Sequence, residues 1–308
     1  MKTNSVLEKV FAAGAFAVTS ECGPPRGALP DVVREKAAHL KGYVDAVNVT
    51  DNQTAMVRMS SFAASVIIKQ MGMHPVLQMV TRDRNRIAMQ SDLIGAYSHD
   101  INTMLCLSGD HPHFGDHAMA ANVYDMDSVQ LIETVKTMRD DGRLQGGAEV
   151  KNLPRMFIGA AANPFADPFE LRVARLAKKI NAGVDFIQTQ CIYNLDKFEQ
   201  WMQGIRDRGL HERVAIMAGV TPMKSEGMAK YMKNKVPGMD VPDEIIKRIG
   251  GVPKEKQAQE GIDISIESIQ RLREIEGVSG IHLMAIEWEH KVPEIIERAG
   301  LYPRPAVA

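Results

Sequence analysis

The sequence predicts an α/β protein, a single (β/α)8 TIM barrel over residues 1–308 with extra helices in its seventh unit. Three observations carry that expectation. Eight short, apolar, β-rich segments recur along the chain, most of them separated by stretches with helical spacing. Most of these segments are near-continuous apolar runs rather than strict alternations, the pattern of strands covered on both faces in a parallel sheet. The length, 308 residues, lies in the range that such barrels occupy as one domain and suffices for a large core. Strand–helix alternation implies a parallel sheet, and eight repeats imply that it closes.

The strand segments are 16–20, 44–50, 76–81, 103–108, 155–160, 186–189, 214–218 and 280–285. A leading helix precedes the first. The apolar run at 10–18 is short, contains Gly14 and leads directly into a strand, so it is read as structure rather than as a cleaved leader. Between strands, segment 51–71 sets Ala, Met, Val and Ile at helical spacing and stops at Gly72. Segment 82–97 is a second helix, and 128–139 is amphipathic and ends at Gly142. Segment 168–181 opens on Pro168 and closes at Gly183, 196–208 closes at Gly209, and 293–298 closes at Gly300. Proline first and glycine last is the asymmetry expected of helices. The stretch 224–277 is longer than one crossover and holds helical pieces around 225–233, 243–249 and 254–276.

Composition removes several classes of function. The formal net charge is −1, with 24% charged residues, so no basic excess points to nucleic acid. No stretch approaches the roughly 20 apolar residues of a membrane span. Cys22, Cys106 and Cys191 are far apart and form no CxxC, which supplies neither a zinc finger nor an iron–sulfur cluster and suits a reducing cytoplasm. His74, His99, His111, His113 and His117 lack clear acidic or cysteine partners nearby, so no metal is assigned. Neither GxGxxG after the first strand nor GxxxxGK[ST] occurs, so the Rossmann and P-loop phosphate cradles are missing.

Barrel enzymes carry their chemistry just past the C-terminal strand ends. Here the first strand runs into Ser20-Glu21-Cys22-Gly23-Pro24-Pro25, and the second into Thr50-Asp51-Asn52-Gln53. The third contains Gln78 and ends in Thr81-Arg82-Asp83; the fourth ends in Ser108-Gly109-Asp110-His111-Pro112. The fifth ends in Ala162-Asn163-Pro164, the sixth in Gln188-Thr189-Gln190, the seventh in Gly219-Val220-Thr221-Pro222 and the eighth in Glu287-Trp288-Glu289. Polar loop residues are ordinary, but Glu21 and Asp110 stand apart. Each follows an apolar strand and sits among small residues and prolines, where a carboxyl is partly desolvated and suited to proton transfer.

In this order, these endings resemble the methylenetetrahydrofolate reductase family from about Phe16 to Pro305. The family's first-strand Glu with two prolines is matched by Glu21 and Pro24-Pro25. Its V-x-V-T segment is matched by Val47-Asn48-Val49-Thr50, and its R-G-D-x-P by Ser108-Gly109-Asp110-His111-Pro112. K-x-x-A-G-A followed by T-Q is matched by Lys179 to Val184 and Thr189-Gln190, and P-G-[IV]-x-P by Ala218 to Pro222. The closing G-[VL]-x-[RP]-P is matched by Gly300-Leu301-Tyr302-Pro303 and its neighbours.

The resemblance implies a flavin, FAD rather than FMN, across the barrel mouth. It also implies hydride transfer from reduced flavin to 5,10-methylenetetrahydrofolate, giving 5-methyltetrahydrofolate, or the reverse. Glu21 would be the general acid that opens the imidazolidine ring to an iminium. Asp110 would serve both pterin and flavin, and Gln190 would bind the folate. Thr50, Gln78, Gly109, Asp110, Tyr124, Asn163 and Lys179 would contact the flavin. Three departures bear on partners. Ser108 replaces an arginine, Glu287-Trp288 replaces an Asn-Arg pair, and an aromatic that stacks on nicotinamide is missing near Ser225-Glu226. Such departures resemble reductases of anaerobic one-carbon pathways, which implies an electron-delivering partner subunit. Lys224 or Lys291 would then meet the folate's glutamate tail, and an oligomer is expected. The alternative is a flavin-free, pterin-binding folate methyltransferase; a silent scaffold would have no need of Glu21, Asp110 and Gln190.

Overall fold

The computed structural model describes residues 1–307. Its eight strands are β1 (Ala17–Cys22), β2 (Ala46–Val49), β3 (Pro75–Val80), β4 (Thr103–Leu107), β5 (Phe157–Ala162), β6 (Phe186–Cys191), β7 (Ala215–Val220) and β8 (Val278–Leu283). They pair in chain order, all parallel, and β8 closes on β1. The helices around them are α1 (Val6–Ala12), α2 (Pro30–Leu40), α3 (Ser61–Gln70), α4 (Arg86–Ser98), α5 (Ser128–Asp141), α6 (Leu171–Ala182) and α7 (Leu195–Arg206), then α8 (Glu226–Lys235), α9 (Asp243–Gly250), α10 (Lys254–Glu274) and α11 (Val292–Arg298). The expected (β/α)8 barrel is therefore present, with α8–α10 inserted between β7 and β8.

Local chemistry sets the helix ends. Asp127 and Gln130 form a reciprocal capping box at the start of α5, satisfying backbone donors that the first turn leaves without partners. Gly183 ends α6 at φ 108, a left-handed conformation that calls for glycine; a Cβ there would also displace the Lys136 side chain.

Alternation along the strands produces two kinds of core. Outward residues such as Val18, Val47, Leu77, Met104, Ile158 and Ile281 pack beneath the helices. Inward residues change character along the barrel axis. At the N-terminal end, Ala17, Ala46, Val76, Leu105, Phe157, Phe186 and Met217 form an apolar plug with Leu7 and Val10 of α1. Phe157 and Phe186 stack with centroids 5.3 Å apart, and Phe11 closes against both. Gly159 is held small by the Phe186 ring, which occupies the space a Cβ would take. One layer higher the inward side chains are Thr19, Asn48, Gln188 and His282, all buried.

The structure revises several boundaries. β1 runs to Cys22 and β6 to Cys191, so Glu21 and Gln190 sit within strands, not after them. β5 and β7 end two residues later than expected, and β8 ends at Leu283. The helix expected from 51 onward begins only at Ser61. Asn52, Thr54 and Ala55 take φ 45, 57 and 56, a left-handed run that no α-helix accommodates. α4 likewise starts at Arg86, because the Asn85 side chain caps it and the Arg82 guanidinium is engaged by the neighbouring Asp83 carboxylate. α6 starts at Leu171, after Pro168. α2 was not among the expected helices, although Pro30 at its start and buried Val33, Ala37 and Leu40 are the signal for it.

Asp185, just before β6, joins the plug to its surroundings. Its carboxylate accepts from Arg139 Nη1 at 2.5 Å, Lys2 Nζ at 2.6 Å and the Ile158 N–H at 2.8 Å. Arg139 and Asp185 are both buried, and removing one partner leaves the other charge desolvated. Asp185→Ala is expected to lower stability in urea unfolding by about 3 kcal/mol, the low end for a broken buried pair, because Asp140 still holds Arg139 Nε.

Candidate functional site

An open cleft of about 370 Å³ lies across the C-terminal strand ends and extends to α6. Glu21 (β1), Gln78 (β3), Leu105 and Leu107 (β4), Ala161 and Ala162 (β5), Gln188, Thr189 and Gln190 (β6), and His282 (β8) line it, with Asn163, Met284 and α6 completing the wall. Of the residues singled out in the sequence, the cleft brings together Glu21, Gln78, Asn163, Lys179 and Gln190.

Glu21 stands on the polar layer. On β1, Thr19 and Glu21 share a face, and Thr19 pairs with His282 while Glu21 pairs with Asn48. Gln188 and Asn48 exchange amide hydrogen bonds of 2.7 and 3.1 Å. Gln188 Nε2 also donates to Thr19 Oγ1 at 3.0 Å. That bond occupies the hydroxyl as an acceptor and directs its own hydrogen to His282 Nδ1, 2.9 Å away. The tautomer so assigned carries its proton on Nε2, which lies 3.5 Å from Glu21 Oε1. The Glu21 side chain is 22% exposed and that of His282 4%. A carboxyl open to the cleft thus rests on an imidazole whose orientation is set from below.

An irregularity turns β6 toward the cleft. Pairing with β7 shifts register between Gln188 and Cys191, and the three consecutive residues Gln188, Thr189 and Gln190 all line the cleft instead of alternating. Gln190 Oε1 accepts from the Cys191 N–H at 3.1 Å, which aims its amide nitrogen elsewhere. The inserted helices return over the mouth: Gly238, between α8 and α9, approaches the Asn163 amide so closely that no Cβ fits. Asn163 Oδ1 in turn accepts from the Phe165 and Ala166 N–H groups.

Thr50, Gly109, Asp110 and Tyr124 lie outside the lining. Thr50 donates to Gln53 Oε1 at 2.6 Å. Asp110 Oδ2 accepts from the Thr54 N–H at 3.0 Å, in the left-handed turn after β2. Buried Arg82 ties the same loops, donating to the Asp110 and Asn52 carbonyls. Gly109 takes φ 86 against Val80, and Tyr124 is exposed. Thr54, a β-branched residue at φ 57, stores strain of about 1–3 kcal/mol. Asp110 in this structure therefore clasps a strained turn and is not among the residues that line this cleft.

The cations of the cleft come from α6. Arg172, Arg175 and Lys179 line it together, and Glu21 is the single carboxylate among the lining residues. Burial and then repulsion from Arg175 lower the Lys179 ammonium to about 8; it donates to the Ala161 carbonyl. Lys224 and Lys291 are elsewhere: Lys224 caps the Ile286 carbonyl and lies over Trp288, and Lys291 pairs with Glu294. Glu287 and Glu289 both meet Lys36 of α2. Burial pushes the thiols up, Cys22 to about 12 and Cys191 to about 11, which makes them poor nucleophiles. Among the described residues no group of three or more His, Cys, Asp or Glu side chains is placed to hold a metal. No helix among them is long and apolar enough to cross a membrane.

The sequence reading named Gln188 and Asn48 but not the layer they form with Thr19 and His282, and it overlooked Arg172 and Arg175. Thr19, Asn48, Gln188 and His282 could have been found as polar residues inside otherwise apolar strands. The arginines could have been found from their i, i+3 and i+7 spacing with Lys179.

Fold and site define a closed parallel barrel whose polar mouth holds both a carboxylate and cations. A family model of methylenetetrahydrofolate reductase matches residues 6–300, and the chain belongs to that family. Methylenetetrahydrofolate reductase 2 of Schizosaccharomyces pombe is 23% identical over 265 residues, covering 82% of this chain and 39% of its own. Methylenetetrahydrofolate reductase 2 of Saccharomyces cerevisiae is 25% identical over 227 residues, covering 70% of this chain and 35% of its own. The chain thus spans little more than a third of these relatives' length. The fold is shared, at TM-score 0.65 and 13% identity over 96% of this chain and 97% of the other, with an uncharacterized protein from Clostridium thermocellum that binds two copies of 5-methyl-5,6,7,8-tetrahydrofolic acid.

The donor set fits the flavin that the resemblance implies. The floor offers apolar surface at Leu105, Leu107, Ala161 and Met284, polar edges at Gln78 and Gln190, and cations for phosphate. Lys179 also gives the protein a pH signature. Its folded-state value lies below the ordinary 10.5, so the charged form disfavours folding. That penalty is fully present below about 8 and fades as pH rises toward 10.5. The urea midpoint is expected to gain from this group over that interval, and Lys179→Met to flatten that gain while raising the midpoint at pH 7.

Proposed function

We propose that this protein is a flavin-dependent methylenetetrahydrofolate reductase, interconverting 5,10-methylenetetrahydrofolate and 5-methyltetrahydrofolate. The observation that carries the reading is Glu21 at the cleft edge, backed by an oriented His282, in a chain of this family. Bound reduced flavin, FAD in this reading, would supply the hydride. The protein's own residues supply position and proton. Glu21 donates its proton to the ring nitrogen that departs from the methylene bridge, N10, leaving an iminium at N5 as the hydride acceptor. His282 presents Nε2–H toward the Glu21 carboxyl at 3.5 Å, and the Thr19–Gln188–Asn48 network keeps that tautomer. Gln190 holds the pterin through the amide nitrogen its hydrogen bond leaves free. Gln78, Asn163 and Lys179 would hold the flavin from the cleft, with Thr50, Gly109 and Tyr124 at the rim. Asp110 serves flavin and pterin after releasing the Thr54 amide, which lets the strained turn relax.

Glu21→Gln is expected to retain bound flavin, seen in the visible absorption spectrum, and to lose about 10²–10⁴-fold in reoxidation of reduced flavin by methylenetetrahydrofolate. A variant that turns over like the wild type removes Glu21 from the reaction. A colourless protein that still binds methyltetrahydrofolate points to flavin-free methyl transfer instead.

Electron supply is the second part of the reading: a partner subunit reduces the flavin, in a cytoplasmic oligomer. The sequence departures at Ser108, Glu287-Trp288 and Ser225-Glu226 support it. Anaerobic stopped-flow mixing of the purified chain with NADH should give slow flavin bleaching or none, and rapid bleaching rules the partner out.

A further inference from the structure

α6 is chemically unlike the other helices. Its twelve residues, LRVARLAKKINA, hold four cations and no acid. Several cations on other helices take carboxylates one turn away: Arg34 with Asp31, Lys136 with Asp140, Lys230 with Glu226, Lys291 and Arg298 with Glu294. Arg172 and Arg175 are i, i+3 and Arg175 and Lys179 are i, i+4, spacings at which like charges repel. Arg172 meets only the Asp167 and Pro168 carbonyls, and among the described residues Arg175 has no carboxylate within ion-pair distance. All three line the cleft that holds Glu21. Side chains on a helix lean toward its N-terminus, here the end nearest the barrel mouth, and that end also carries the positive pole of the helix.

We infer that Arg172 and Arg175 are the phosphate anchor of this protein's flavin, working with Lys179, and that they make the cleft selective for phosphorylated flavins over riboflavin. The inference rests on the flavin reading above and assigns two residues that the family resemblance does not mark. It also accounts for Ser108: the positive charge missing from the end of β4 is replaced from α6. Phosphate is favoured because Arg172 and Arg175 share one helix face and one cleft wall with Lys179, which the flavin reading already places on the cofactor, and three crowded cations match a phosphate or diphosphate.

The test uses the full chain stripped of flavin and titrated with riboflavin, FMN and FAD by calorimetry and fluorescence quenching. Both arginines are at least partly exposed, so glutamine variants should fold, with the thermal transition as the check. Wild type is expected to bind FMN or FAD at least about 100-fold more tightly than riboflavin, with inorganic pyrophosphate competing. Arg172→Gln with Arg175→Gln should weaken the phosphorylated flavins at least about 10-fold, leave riboflavin unchanged and lessen the salt dependence. Arg175→Lys should recover part of the loss left by Arg175→Gln. Equal affinity for all three flavins, or unchanged FMN and FAD binding in the double variant, overturns the anchor and leaves the flavin reading standing. Loss of folate affinity with flavin binding intact assigns the arginines to the substrate's carboxylates and also overturns it. Binding of no flavin at all removes the flavin reading and the anchor together.

Discussion

Four side chains inside the barrel satisfy one another and thereby define where the chemistry can sit. Thr19, Asn48, Gln188 and His282 are buried where water does not compensate them, and each finds its partner only because the sheet is closed. Asn48 and Gln188 come from strands on different sides of the barrel. An unpaired amide or imidazole at this depth would cost on the order of 1–3 kcal/mol, so the layer is stable as a set or not at all. Below it the aromatic plug excludes water; above it Glu21 and the cleft begin.

This arrangement divides labour along the barrel axis. The N-terminal end is apolar and tied by Asp185, Arg139 and Lys2. The middle layer orients, and only its Gln188 and His282 reach the cleft. The C-terminal end holds the Glu21 carboxyl on β1 beside the His282 imidazole on β8, with cations on α6 in the same wall. A ligand with a flat apolar body and an anionic end matches that polarity. The inserted α8–α10 segment narrows the mouth from the side, through the approach of Gly238 to Asn163.

The loops after β2 and β4 depend on each other. Asp110 on one caps Thr54 on the other, Arg82 bonds carbonyls of both, and Gly115 leaves room for Ala55 where a side chain would not. Strain at Thr54 is held by these contacts.

Sequence alone determined the fold class, because eight doubly buried strands alternating with helices have few ways to cover both faces. It also marked Glu21, Gln78, Asn163 and Gln190, because strand ends in a barrel converge whatever the loops do, and Lys179 through the family resemblance. It misjudged where strands stop: main-chain pairing with Asn48 holds Glu21 in the ladder, and pairing is a property of neighbours remote in sequence. Only the tertiary structure could decide that His282 faces Glu21, since they are 261 positions apart in the chain and meet through barrel closure. Only it could separate Asp110 from the cleft, through a turn whose left-handed backbone no local pattern announced, and bring the arginines of α6 into the same wall as the acid. Periodicity says which residues share a face; which faces meet is set by packing across the closed sheet.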